Sequence, residues 1–237
     1  MGLMSNITIV LLICHVLGDF QLQTEEMANA KTKSLSVLGK HLGIHALLLG
    51  ILPTLLLSWS SFSESWLLIL LVWFTHCVVD IAKFYINHWR NVRSEIIYIV
   101  DQLIHLAAIV LLSESVFNPS LSLRFVSINI LKWILLFLVI TKPANITFKI
   151  VFQKYQFKTK TPTIPGAGAV IGNLERVLSA IFLAMNQMTA IGFIYTAKSI
   201  ARFKEIEENK GFAEYYLIGT LFSILYVVAA YYIIIAI

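Results

Sequence analysis

Long apolar segments separated by short polar or basic stretches make up most of this sequence. A helix needs roughly 20 apolar residues to cross a bilayer, and the pattern predicts seven helical segments near that length. These segments are residues 6–23, 41–59, 66–89, 96–112, 128–140, 170–197 and 215–237. The predicted fold class is all-α: a polytopic membrane helix bundle with about six to seven transmembrane segments.

Composition supports a membrane protein and excludes an ordinary soluble domain. Of the 237 residues, 58% are hydrophobic and only 13% are charged, and the mean hydropathy is +0.81. Soluble domains are about half apolar and about a quarter charged. The net charge of +5 lies in the loops, which suits an anionic cytoplasmic leaflet. The bilayer is therefore the expected partner, and nothing indicates nucleic acid.

The predicted segments divide the chain into three regions, and the distribution of positive charge predicts the orientation. Residues 1–113 hold four segments, residues 114–169 hold the fifth segment and a basic connection, and residues 170–237 form a helical extension. The loops after the first, third and fifth segments carry three, two and five Lys or Arg residues, and those after the second and fourth carry none and one. The positive-inside rule places the basic loops in the cytoplasm.

The sixth segment has two alternative placements. The stretch from Lys198 to Lys210 is basic, yet strict alternation of spans puts it outside the cytoplasm. A re-entrant or interfacial sixth segment returns this stretch to the cytoplasmic side, whereas a full span does not. The segment also contains Glu175 and Arg176, which are expected to pair with other charges because an apolar segment cannot solvate them.

Histidine and aspartate recur at a spacing of four residues inside the first four segments. Positions i and i+4 of a helix share a face, so two such side chains can hold one metal ion. The candidate ligands are His15, Asp19, His45, His76, Asp80, Asp101 and His105. His41 lies one turn before His45 and is a weaker candidate, because it follows Lys40 at the membrane interface.

In the predicted orientation these seven residues fall in one layer on the cytoplasmic side. An ionisable group inside the bilayer costs roughly 2.5–3.5 kcal/mol, so the layer needs a compensating partner. We expect a divalent metal, zinc above all, although manganese and iron(II) accept similar ligands. The number of candidates suits two ions with a bridging carboxylate, or one ion whose ligands are hydrogen-bonded by the rest. For any single pair, an internal hydrogen bond is the alternative.

Three further residues are candidates for contacts with a substrate. Lys83 lies three residues after Asp80 on the same helix face and is expected to neutralise an anionic group, the alternative being that it extends to the interface. Gln23 and Gln102 lie next to the site and are expected to orient ligands or substrate. Among Asp19, Asp80 and Asp101, a carboxylate that does not bind metal is the expected general base.

These residues resemble a bacterial and phage membrane family catalogued as domain of unknown function 3307. The motifs that carry the resemblance are residues 15–24 (HVLGDFQLQT), Lys33, His45, residues 76–83 (HCVVDIAK) and residues 101–105 (DQLIH). The resemblance implies the bacterial cytoplasmic membrane as location, but it implies no activity. A weaker similarity of pattern connects the chain to membrane-bound metal-dependent hydrolases.

The predicted function is a metal-dependent hydrolase that acts on a phosphoester, or another ester, of a lipid or membrane-proximal substrate. Its water would be activated by the metal, and Lys83 would bind an anionic group. One alternative is a cation or proton transporter that uses the same cluster. The other is a protein in which a structural metal joins the helices while the basic loops recruit a partner.

Overall fold

The computed structural model describes residues 4–89, 93–117, 121–157 and 164–236. The helices are α1 (Asn6–Val16), α2 (Glu25–Ala30), α3 (Leu35–Leu56), α4 (Trp59–Trp89), α5 (Ser94–Val110), α6 (Ile128–Ile140), α7 (Lys142–Val151), α8 (Ala167–Ala184), α9 (Met188–Ala201), α10 (Phe203–Glu208) and α11 (Lys210–Tyr231). Short π-helical turns follow α1, α5 and α11.

The structure confirms the predicted all-α membrane fold. It is 86% helical, with no strand in the described ranges. Six stretches there are long and apolar enough to cross a membrane, as expected of a multi-pass membrane protein. They are Leu35–Leu56, Trp59–Ile86, Ser94–Ser115, Ile128–Val151, Ala167–Ala184 and Lys210–Ala236. The predicted first segment is a shorter apolar helix, Asn6–Gln21, when its π-helical turn is included.

The helices form two compact units, one reaching to Leu138 and one beginning at Val139. In the first unit α1 packs against α3 and α5, and α4 packs against both α3 and α5. Every residue of α1 from Ile7 to Val16 is buried. A helix that is apolar on all sides belongs in the interior, so α1 is the central helix of this unit.

Two local features complete the first unit. The turn Leu17–Gln21 after α1 is π-helical, with the Leu22 amide bonded to the Leu17 carbonyl at 2.8 Å. At the opposite end of α1, the loop after α5 pairs with the junction between α3 and α4. The Ser58 amide donates to the Ser122 carbonyl at 3.0 Å, and the Arg124 amide donates to the Leu56 carbonyl at 2.9 Å.

In the second unit the predicted sixth segment is a helical hairpin. Helix α8 ends at Ala184, α9 begins at Met188, and Asn186 between them has a left-handed φ of 54°. The Lys198 ammonium donates to the Glu175 carboxylate at 2.8 Å, which joins the two arms. Since α9 is only about 21 Å long, it is short for a full span. The predicted segment is thus one helix long enough to cross a membrane, α8, followed by a shorter one, α9.

Arg176 is buried beside this ion pair and is satisfied by neutral oxygens. It donates to Asn145 at 2.6 Å, to Asn173 at 2.9 Å, to Ser223 at 3.2 Å and to the Ile140 carbonyl. Glu175 thus has the charged partner that the sequence predicted, while Arg176 connects α7, α8 and α11 through hydrogen bonds.

The basic stretches of the second unit are more helical than a simple linker. The connection after the fifth segment begins with α7, and Pro143 lies in its first turn. Proline is tolerated there because backbone N–H groups of the first turn have no partner within the helix. Residues 158–163 of that connection lie outside the described residues. The stretch from Lys198 to Lys210 holds the end of α9 and the short, exposed α10.

The hairpin turn depends on a residue that tolerates left-handed backbone. Asn186→Val should destabilise the protein by about 1–2 kcal/mol, because a β-branched side chain clashes with the carbonyl in that conformation. Asn186→Gly should be neutral or stabilising. Unfolding in mixed micelles measures both, and Met185→Val at the preceding exposed position is the matched control. Equal midpoints for Asn186→Val and wild type would show that the turn is not under this constraint.

Candidate metal centre

The histidines and aspartates of the first four predicted segments meet in one buried layer of the first unit. Each of the seven predicted ligands is buried, and so is His41, which is fully inaccessible to solvent. They are His15 and Asp19 from α1 and its π-helical turn, His41 and His45 from α3, His76 and Asp80 from α4, and Asp101 and His105 from α5. All three aspartates of the chain and five of its six histidines are in this layer.

The Asp19 carboxylate is the centre of the tightest group. Its Oδ1 lies 2.9 Å from Nε2 of His45, 3.3 Å from Nε2 of His41 and 3.7 Å from Nε2 of His76. Neighbouring ligand atoms of a tetrahedral zinc are roughly 3.3 Å apart, given metal–nitrogen bonds of roughly 2.0–2.1 Å. These four residues therefore have the spacing and the donor types of a metal site.

Asp80 extends this group on the side of α4. Its Oδ2 lies 3.1 Å from Nε2 of His41 and 3.6 Å from Nε2 of His76. Its Oδ1 and the Nε2 of His76 are buried and have no hydrogen-bond partner within the described ranges. Buried polar atoms are rarely left unsatisfied, so these two atoms point to a ligand.

His105 has a ring orientation typical of metal-binding histidines. Its Nδ1 donates to the backbone carbonyl of Asp101 at 2.8 Å, which fixes the tautomer and leaves a lone pair on Nε2. That Nε2 is buried without a partner among the described residues. The ligand atoms of His105 form one group with those of His76 and Asp80, and a different group with those of Asp19 and Asp101. Asp19 is thus shared by two overlapping groups.

Gln102 connects Asp19 and Asp101, the two aspartates of the group that they form with His105 (the second group). Its Nε2 donates to Asp19 Oδ2 at 3.0 Å and to Asp101 Oδ2 at 3.1 Å. The remaining oxygen faces Nε2 of His15 at 3.3 Å. Gln102 therefore orients carboxylates, one of the two roles expected from the sequence.

His15 differs from the other predicted ligands. It stacks on the ring of His105, with centroids 5.2 Å apart, and it is not a member of any of the three ligand groups. The i, i+4 argument for His15 and Asp19 assumed a regular α-helix. The π-helical turn begins between them, so the two side chains do not converge on one point.

Two lysines balance the carboxylates. Lys83 forms an ion pair with Asp101 Oδ2 at 2.5 Å. Lys31, in the loop after α2, is buried with its Nζ 3.0 Å from Nε2 of His41 and 3.5 Å from Asp80 Oδ2. Gln23 is half-buried after the π-helical turn, and its role stays a prediction.

Sequence reasoning missed Lys31 and undervalued His41. The spacing of His41 and His45 carried a signal, since i and i+4 share a helix face, but the adjacent Lys40 suggested an exposed interface. Lys31 carried no pattern of its own. Lys33, which belongs to the family motifs, is exposed in the same loop. The loop after α2 brings Lys31 against Asp80 of α4, a contact that only the folded structure shows.

The close approach of α1 and α3 requires a glycine. A Cβ on Gly18 would lie 2.3 Å from Nε2 of His45, a distance that real side chains do not adopt. Gly18 precedes Asp19 inside the π-helical turn. The residue that permits the close packing is therefore next to the carboxylate at the centre of the group.

Comparisons with known proteins identify a family for this part of the chain. A family described as "Protein of unknown function (DUF3307)" matches residues 7–141, which include every residue of the layer. No curated protein and no solved structure matches the chain. The family description states no activity, and the weaker similarity to membrane-bound metal-dependent hydrolases receives no support from these comparisons.

The glycine gives a test of the packing. Gly18→Ala should destabilise the protein by about 1–3 kcal/mol, because the added methyl group must displace the buried His45 ring. Unfolding of the purified protein in detergent measures the loss. Gly43→Ala on α3 is the matched control, since an added Cβ there meets nothing within 4 Å and alanine favours the helix. The packing argument fails if the two variants are equally stable.

Proposed function

The chain belongs to the family that matches residues 7–141, and from the geometry of its site we propose that it is an integral-membrane, metal-dependent hydrolase. The observation that carries the proposal is the group formed by Asp19, His41, His45 and His76. Nitrogen and carboxylate donors converge there inside a membrane bundle at the spacing of metal ligands.

The donor set fits zinc best. Three imidazoles and a carboxylate suit a borderline metal, and a metal would satisfy Nε2 of His76, which has no hydrogen-bond partner among the described residues. Asp101 and His105 form a group with Asp19, which also belongs to the first group, so these three residues would hold a second ion. The site therefore suits one or two divalent ions.

A bound divalent metal lowers the pKa of a water molecule toward about 7 and polarises an ester or phosphoester. The protein's own residues supply orientation and proton transfer. Gln102 fixes the carboxylates of Asp19 and Asp101, and the Nδ1 hydrogen bond fixes His105. Among Asp19, Asp80 and Asp101, the carboxylate that is not bound to metal acts as the general base.

Two narrow clefts border the layer, each with about 10 Å³ of free volume, room for about one water molecule. One is lined by four of the histidines and by aliphatic side chains of α1, α3, α4 and α5. The other is lined by Lys31, Asp80 and Lys83, among others. The proposed substrate is a phosphoester, or another ester, of a lipid or of a molecule at the membrane surface.

Transport is the weaker proposal. A cation or proton path needs polar groups that continue from the layer to the opposite membrane surface. The buried positions of α1 from Ile9 to Cys14 are apolar, and they occupy the centre of the unit on that side of His15. A metal that only joins the helices remains the other alternative, which an activity measurement distinguishes.

We also propose the bacterial cytoplasmic membrane as the location, with the layer toward the cytoplasm. The layer residues lie near the end of α1, in the first half of α3, in the second half of α4 and around the middle of α5. Those ends connect to the basic loops, which the positive-inside rule assigns to the cytoplasm.

The metal proposal has a direct test. Protein purified in detergent should contain one to two zinc or similar ions per chain, measured by plasma mass spectrometry. Asp80→Asn and His76→Ala should lower the metal content about 10-fold or more and abolish hydrolysis of chromogenic phosphodiester or carboxylic ester probes. Glu175→Gln, a buried carboxylate of the other unit, is the matched control. A folded wild type without metal, or variants that keep their metal, would overturn the proposal.

The orientation is tested by labelling cysteines in intact cells. In a background without Cys14 and Cys77, Asn29→Cys should resist an impermeant maleimide until the membrane is opened, because its loop is cytoplasmic. Phe125→Cys, at an exposed position of the loop before α6, should label in intact cells. Ready labelling of Asn29→Cys reverses the orientation and places the layer at the outer face.

A further inference from the structure

Lys31 and Lys83 line the same narrow cleft beside the layer. A protonated lysine is not a metal ligand, so their presence needs another explanation. The cleft holds both lysines together with Asp80, Thr32, Leu38 and Phe84. Lys31 is buried and Lys83 is mostly buried, yet each directs its ammonium group at a different aspartate, Asp80 and Asp101. Two ammonium groups that line one cleft beside a metal-ligand cluster have the chemistry of an anion site.

The charges of the layer define which anion fits. Asp19, Asp80 and Asp101 contribute three negative charges, and Lys31 and Lys83 contribute two positive charges. With neutral histidines, which is the form that binds metal, one net negative charge remains. A single dication changes the balance to one net positive charge. A group with one negative charge then neutralises the layer, and a buried site favours neutrality.

Metal binding also releases Lys31. The Lys31 ammonium lies 3.0 Å from His41 Nε2 and 3.5 Å from Asp80 Oδ2, two atoms that belong to the metal-ligand cluster. A dication that takes those lone pairs repels the ammonium group and leaves its donors for another acceptor. Lys83 keeps its ion pair with Asp101 when a single ion is bound, and its ammonium group has further N–H donors for an anion.

We propose that Lys31 and Lys83 form a subsite for a phosphodiester, a group with a single negative charge, next to the metal ion. The inference rests on the proposed function, since it needs the metal, and it deepens that function by naming the substrate class. The phosphodiester can belong to a lipid headgroup or to a soluble molecule. In either case the lysines hold its non-bridging oxygens while the ester bond faces the layer.

The test measures binding, so that it does not depend on hydrolysis. The zinc-loaded full chain in detergent is titrated with dimethyl phosphate, with neutral trimethyl phosphate and with dioctanoyl phosphatidylglycerol, and phosphorus NMR follows each. The wild type should bind the two phosphodiesters and not the neutral ester. Lys31→Met and Lys83→Met should each bind about 10- to 100-fold more weakly, because a charge-assisted hydrogen bond is lost, with metal content unchanged.

Two variants make the comparison decisive. Lys33→Met, in the same loop but exposed, should bind as the wild type does. Lys83→Arg keeps the positive charge and should retain binding, while Lys83→Gln, a second neutral variant, replaces Lys83→Met if that protein does not fold. Binding of phosphatidylglycerol alone identifies the lipid as the source, and equal binding of dimethyl phosphate identifies the phosphodiester group itself.

The outcomes separate this inference from the proposed function. Lysine variants that keep both metal and phosphodiester binding overturn the subsite, and so do variants that lose their metal, because the lysines then belong to the ligand scaffold. A wild type that hydrolyses esters equally well with and without the two lysines keeps the hydrolase and removes the subsite. Lysine-dependent binding without any hydrolysis keeps the subsite and removes the hydrolase.

Discussion

Compensation of buried negative charge is the constraint on which the first unit depends. Three carboxylates lie within four apolar helices, and each would cost several kcal/mol in a bilayer without a partner. Two lysines and five histidines surround them, but several donor atoms of this set remain unpaired in the described part of the chain. A cation placed among those atoms satisfies both the charge and the lone pairs.

The packing of the unit serves the same requirement. The apolar sequence of the central helix α1 explains its burial without any function. The helix nevertheless ends in a π-helical turn that directs Asp19 at α3. Such turns are frequent at functional sites because they re-aim one side chain. Gly18 then allows His45 to approach. In the second unit the buried charges are compensated differently. Glu175 forms an ion pair with Lys198, and Arg176 donates hydrogen bonds to neutral oxygens.

The sequence predicted the helical membrane fold and most of the layer, for physical reasons that differ by residue. The apolar runs and the i, i+4 spacing of His76 with Asp80 and of Asp101 with His105 are local signals, and the structure places those residues together. The turn at Asn186 that divides the sixth segment was not predicted, since polarity alone does not show a left-handed residue. Lys31 could not be predicted, because its contact with Asp80 depends on how a loop folds back.

Because the layer is central to the account, the most direct measurement is X-ray absorption spectroscopy at the metal edge of the purified protein. The account predicts an ion coordinated by nitrogen and oxygen at roughly 2.0–2.2 Å, with the multiple-scattering signal of at least two imidazoles and no sulfur at roughly 2.3 Å. The signal should disappear in Asp80→Asn. A metal coordinated by sulfur, or an imidazole signal that persists in that variant, would contradict the assignment of the ion to this layer.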